Sequence, residues 1–207
     1  MKKFNTLMLI ASSFFLVNCG GGIAGDTANH TSVLGDNSEI GNPQPFDAPT
    51  ISQAKIDEYL NAINNARSQG RDCGSEGHFD ATTSLQWNDK LYKAAYEHSQ
   101  DMAKSGVFEH HGSGYESDWT AKVNSLDHPS RFDERIVNNG YTYSSAGENI
   151  AGGQATTSEV VQSWLNSPHH CANIMNPDFT DIGMAMYYKQ DDSNNYHYYW
   201  TQDFGSN

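Results

Sequence analysis

Ile56, Tyr59, Leu60 and Ile63 recur at three- and four-residue intervals and Gly70 follows the run, which predicts a first helix with one buried face. Thr50 and Gln53, three apart, suit a capping box at its start. A second stripe, Leu91, Ala95, His98 and Met102, begins after Trp87 and Asn88 and is stopped by Gly106. His98 lies on that stripe and is expected to be a hydrogen-bonded core histidine rather than a ligand. Arg131 to Asn139 is a shorter helical run closed by Gly140. Thr156 stands three before Glu159, and Val160, Val161, Trp164 and Leu165 follow, predicting a capped amphipathic helix.

Past Pro177 the period changes from helical to alternating. "DIGMAMYYK" and "YHYYWTQDFG", separated by "QDDSNN", predict an antiparallel hairpin. Its alternate tyrosines, Tyr196 and Tyr198 among them, suit a sheet facing its helices better than an adhesive surface. Several helices with a terminal hairpin imply an α+β fold, not a parallel doubly wound sheet.

The N-terminus has a different pattern. Lys2 and Lys3 precede an apolar stretch from Leu7 to Val17, too short for the roughly 20 residues that span a bilayer as a helix. Residues 1–18 therefore read as an export signal. "LVNC" followed by glycines resembles a lipobox, so Cys19 is the expected site of lipidation and membrane attachment, with an outer-membrane position expected of the bacterial lipoprotein. Residues 19–52, rich in Gly, Asn, Asp, Ser and Pro, read as a flexible tether, and 53–207 as one domain. Without Lys2 and Lys3, 10 basic side chains face 25 acidic ones, a balance that disfavours nucleic acid and anionic lipid headgroups as partners.

Lipidation of Cys19 leaves Cys73 and Cys171, an even pair that an oxidising compartment favours joining. The rival role for Cys171, a thiolate nucleophile with His170 as base, has no third group in sequence to orient it. Three short stretches carry further chemistry-capable residues: "FEHHG" with His110 and His111, "GENIA" with Glu148, and "SPHHC" with His169 and His170. All are expected in loops or at element ends. Two imidazoles, a carboxylate and a water make an open zinc site, although spacing alone leaves scattered surface histidines as the alternative.

"SLQWNDKLYKAAYEHSQDMAKSGVFEHHG", "FDERIVNNGY", "GENIAGGQ", "VVQSWLNSPHHCANIMNPDFTDIGMAMYY" and "YWTQDFG" come in the order found in the CAP superfamily. This is the superfamily of cysteine-rich secretory proteins, antigen 5 and pathogenesis-related 1 proteins, and the chain resembles its bacterial branch over about residues 54–205. The resemblance implies a three-layer α-β-α sandwich with an antiparallel sheet and a cleft on one face. It selects His110 over His111, Glu148 of "GEN", and His170 as the cleft residues, and so as the expected ligands of Zn2+ or another divalent cation. It also places the Cys73–Cys171 bond beside His170. The second glutamate that full members carry after the helix tryptophan is missing, since Leu165, Asn166 and Ser167 follow Trp164. The expected function is therefore a nonenzymatic binding module for a divalent metal and a small lipid or peptide. A metal-dependent hydrolase with Glu148 as general base is the alternative.

Overall fold

The computed structural model describes residues 40–207. The signal 1–18, Cys19 and residues 20–39 of the tether lie outside the described residues. The elements in chain order are α1 (Gln53–Arg67), β1 (Arg71–Asp72), a 3-10 turn (Gly74–Glu76), β2 (His78–Phe79), β3 (Gln86–Trp87) and α2 (Asp89–Ser105). They continue as α3 (Trp119–Asn124), α4 (Phe132–Asn138), β4 (Ser145–Gly152), α5 (Thr157–Leu165), α6 (Pro168–Met175), β5 (Asp181–Tyr188) and β6 (Tyr198–Ser206).

Local chemistry explains the helix ends. Asn88 accepts a hydrogen bond from the Lys90 N–H at 3.1 Å to open α2, and Gly106 closes it in the left-handed region at φ 80°. Thr156 and Glu159 form the reciprocal box expected at α5. The cap of α1 is Ser52, whose hydroxyl accepts from the Lys55 N–H at 3.3 Å, not Thr50, because the helix begins at Gln53 and only Ser52 sits in the half-in position.

The main sheet has the order β3-β5-β6-β4. The predicted hairpin is β5 and β6, paired antiparallel from Asp181 opposite Gly205 to Tyr188 opposite Tyr198. β4 joins the other side of β6 antiparallel, and the two-residue β3 pairs parallel with β5, so the sheet is mixed at that one edge. Alternation along β6 sends Trp200 and Phe204 into a cluster with Ile63 of α1, Val160 and Trp164 of α5 and Ile174 of α6. Tyr199 points the other way, onto Met102 and Ala103 of α2. A smaller cluster joins Leu91 and Ala94 of α2 to Ile136 of α4 and Ala146 of β4. Helices thus cover both faces of the sheet, giving the α-β-α sandwich. Gly183 of β5 makes the close approach on one side possible, since a Cβ there would stand 2.0 Å from the Tyr92 nitrogen of α2.

The segment expected to be a free tether up to residue 52 is, from residue 40 on, bonded to the domain. Phe46 N–H donates to the Asn139 side chain at 2.8 Å, Trp119 Nε1 donates to the Gln44 carbonyl at 2.8 Å, and Tyr92 donates to the Pro49 carbonyl at 2.9 Å. Its prolines suit an extended path, and its carbonyls find donors on α2, α3 and α4.

Two crosslinks fix α6. Cys73 and Cys171 form the expected disulfide, with their Cα atoms 5.5 Å apart, joining the 3-10 turn to α6. At the far end of α6 the fully buried Arg67 guanidinium donates to the carbonyls of Ile174 and Asn176 at 2.7 and 2.9 Å, and also reaches those of Thr83 and Phe179. It satisfies acceptors that a helix end would otherwise leave bare.

Candidate functional site

His110 sits in the long connection between α2 and α3, and buried acids hold that connection in place. Asp101 of α2 accepts from the Ser113 N–H and hydroxyl, both at 2.7 Å, and Glu97 of α2 accepts from the Thr120 N–H at 2.8 Å. Asp118 accepts from the N–H groups of Gly114 and Ser130, each at 3.0 Å. His98, fully buried on α2 as expected, donates from Nε2 to the Glu109 carbonyl at 2.9 Å, one residue from His110.

Glu148 is not in a loop. It lies in the middle of β4, and sequence reasoning missed that strand because "SAGENIAG" is small and polar where strands are usually β-branched or aromatic. Each oxygen of its buried carboxylate has a partner: Oε1 lies 2.9 Å from His110 Nδ1, and Oε2 accepts from Arg135 Nη2 of α4 at 2.7 Å. Arg135 also donates to the carbonyls of His110 and Ser130, each at 2.9 Å. Burial pushes the Glu148 carboxyl up, but the Arg135 charge, then His98 and His110, outweigh it and hold it well below the usual carboxylate range. An ionised carboxylate only accepts, so His110 Nδ1 is the donor and Nε2 is the nitrogen left for a ligand. The His110 side chain is 43% exposed.

His170 lies inside α6, not in a loop, half-buried, and burial, followed by the charges of His110 and His169, lowers its pKa to about 4. His169 turns away and lies 3.0 Å from Glu76 of the 3-10 turn. His111 is exposed. The structure therefore brings His110 and Glu148 into direct contact and sets His170 within electrostatic reach of His110. Among the described residues no group of three or more His, Cys, Asp or Glu side chains is disposed to hold a metal ion.

Two residues were not foreseen. Arg135 falls within the predicted run Arg131–Asn139, and the adjoining core residue Ile136 was the only hint that it points inward. Asp203 lies within the motif "YWTQDFG" and stands opposite Glu148 on β6. It is fully buried, and among the described residues neither of its oxygens has a hydrogen-bond donor. Burial, then the Glu148 charge, raises its pKa well above the usual range.

A helix-sheet-helix sandwich with a histidine–glutamate pair at its edge strand defines a CAP domain. The profile of the cysteine-rich secretory protein (CAP) family matches residues 60–204, and the chain belongs to that family. The protein YkwD of Bacillus subtilis is 38% identical over 120 residues, which are 58% of this chain and 38% of YkwD, so this chain spans well under half of that relative. Among solved structures, an extracellular protein containing a SCP domain from Bacillus anthracis shares 20% identity over 77% of this chain and 45% of its own, with a TM-score of 0.51. An outer surface protein from Borrelia burgdorferi shares 19% identity over 79% of this chain and 98% of its own, with a TM-score of 0.52. At these identities the two structures share the fold with this chain.

Proposed function

We propose that this CAP domain is an exported, nonenzymatic binding module, tethered to a membrane through lipidated Cys19, whose cleft takes a divalent cation such as Zn2+ between His110 and His170. The carrying observation is the 2.9 Å contact of His110 Nδ1 with Glu148, itself fixed by Arg135. Metal-binding histidines characteristically give their second nitrogen to a carboxylate, which sets the tautomer and aims the ring. In this reading His110 Nε2 and one nitrogen of His170 are the ligands, and Glu148 orients rather than ligates. The donor set fits an ion that keeps waters in its remaining positions, and such an ion would supply a polarising centre for an anionic or carbonyl group of a small lipid or peptide.

Binding is preferred to hydrolysis because both Glu148 oxygens are occupied and the carboxyl is held strongly acidic, which makes it a poor general base near neutral pH. The test is calorimetric. Zinc titrated into the oxidised domain should bind the wild type and not the double variant His110→Ala, His170→Ala; equal heats from both would eliminate the site. Incorporation of labelled palmitate by the wild type and its loss in Cys19→Ser would support the anchor, and no label on the wild type would remove it.

A further inference from the structure

The two halves of the cleft stand on separate elements. His170 belongs to α6, Glu148 with its partner His110 to β4 and the connection after α2. Between α6 and β4 lies a set of side-chain amides with no part in the site as described above. Asn149, next to Glu148 on β4 but facing α6, donates Nδ2–H to the main-chain carbonyl of His170 at 3.2 Å and to Gln202 Oε1 of β6 at 3.0 Å. Asn173, one turn on from His170 in α6, donates Nδ2–H to the main-chain carbonyl of Glu148 at 3.2 Å and to Asn149 Oδ1 at 2.9 Å. Every amide proton of the two asparagines is used, and both side chains are buried, Asn149 at 0% and Asn173 at 2% exposure.

Each asparagine therefore holds the carbonyl of the site residue on the opposite element, and the two bond each other. We propose that Asn149 and Asn173 are positioning residues that set the spacing of the His170 imidazole from the His110–Glu148 pair. The chemistry demands such a device: one ion must reach a nitrogen of each ring at about 2.0–2.1 Å, so a shift of α6 by an ångström would reduce two-point binding to one-point binding. A water-excluded hydrogen-bonded amide bridge suits this task better than apolar packing, because its directional bonds admit one register of helix on strand. The Cys73–Cys171 bond fastens the middle of α6 and Arg67 its C-terminal end, whereas the asparagines act on both sides of Cys171, through the His170 carbonyl before it and the Asn173 side chain after it.

The inference rests on the cation reading proposed above, and its test separates the two. Zinc affinity is measured for the wild type, His170→Ala, Asn173→Ala and the double variant His170→Ala, Asn173→Ala, each verified as folded by circular dichroism. Loss of Asn173 should weaken zinc by about 10- to 100-fold in the wild-type background, the range usual for outer-shell partners, and leave it unchanged where His170 is already gone. Weakening by the same factor in both backgrounds, or in neither, would overturn the inference. Should Asn173→Ala not fold, Asn149→Ser, which removes the bond to the His170 carbonyl, takes its place in the same cycle. Wild type binding no tighter than His170→Ala would refute the cation reading instead. The ring Cε1–Hε1 resonance of His170 in metal-free protein then decides: displaced in the asparagine variant while that of His98 holds still, it upholds the positioning role, and unmoved it ends it.

Discussion

Glu148 of β4 and Asp203 of β6 stand directly opposite each other across antiparallel strands, both buried, with Arg135 bonded to the first and, among the described residues, no donor bonded to the second. Two ionised carboxylates cannot bond each other, and burial and the Glu148 charge favour the protonated form of Asp203. A group whose pKa rises on folding stabilises below its unfolded value, and that stabilisation fades as pH climbs toward the folded value. Asp203→Asn supplies a permanent neutral donor of the same shape. Its melting temperature should lie closest to the wild type at pH 4 and exceed it by a growing margin as pH rises from there, measured by calorimetry over pH 4–9. A constant difference across that range would show that Asp203 does not titrate in this way.

Histidines act in the opposite direction. Burial, then the Arg135 charge, lowers His98 from 6.5 to about 3, and His170 falls to about 4. Depressed values mean stability that is present above the unfolded pKa and lost as pH falls, here from about 6.5 toward 3, because the unfolded chain takes up protons that the folded one refuses. Denaturant midpoints should decline through that interval. His98→Gln, which keeps a donor for the Glu109 carbonyl, should be less stable at pH 7 yet show a flatter decline.

Arg135 neutralises Glu148 at a site where both side chains are 1% exposed. Arg135→Met would leave a buried carboxylate unpaired, with an expected loss of about 3–5 kcal/mol in urea unfolding. Adding Glu148→Gln removes that charge and should recover much of the loss. Equal instability of single and double variants would mean that the guanidinium acts chiefly through its bonds to the His110 and Ser130 carbonyls.

Cys73 and Cys171 close a loop of 98 positions. In the chain-entropy account, opening a loop of about 100 residues costs roughly 4–5 kcal/mol, and the double serine variant should lose stability of that order in guanidinium unfolding. A loss below about 1 kcal/mol would mean that α6 is held almost wholly by Arg67 and the asparagines.

Helices α1, α2 and α5 were readable because each buries one stripe and carries a cap or a stop in its own sequence, and the β5–β6 hairpin because aromatic alternation persists over both strands. β4 and α6 were not read as elements. β4 is made of small and polar residues and draws its stability from pairing with β6, while "PHHCANIM" is too short and mixed to show a period. His110, His170 and Glu148 were found through motif resemblance, since nothing local relates residues 38 and 22 positions apart. Arg135 and Asp203 could not be assigned to the cleft from sequence, because what makes them important is cross-strand and interhelical pairing that only the folded chain brings about.

The sulfur bond has a temporal consequence. His110 and Glu148 both fall inside the stretch between Cys73 and Cys171, so the thiols can meet only once the chain bearing the first half of the cleft has folded back on itself. A polypeptide kept among cellular reductants would leave the helix carrying His170 without its covalent fastening, and the cleft would gain its final rigidity last, on exposure to an oxidant.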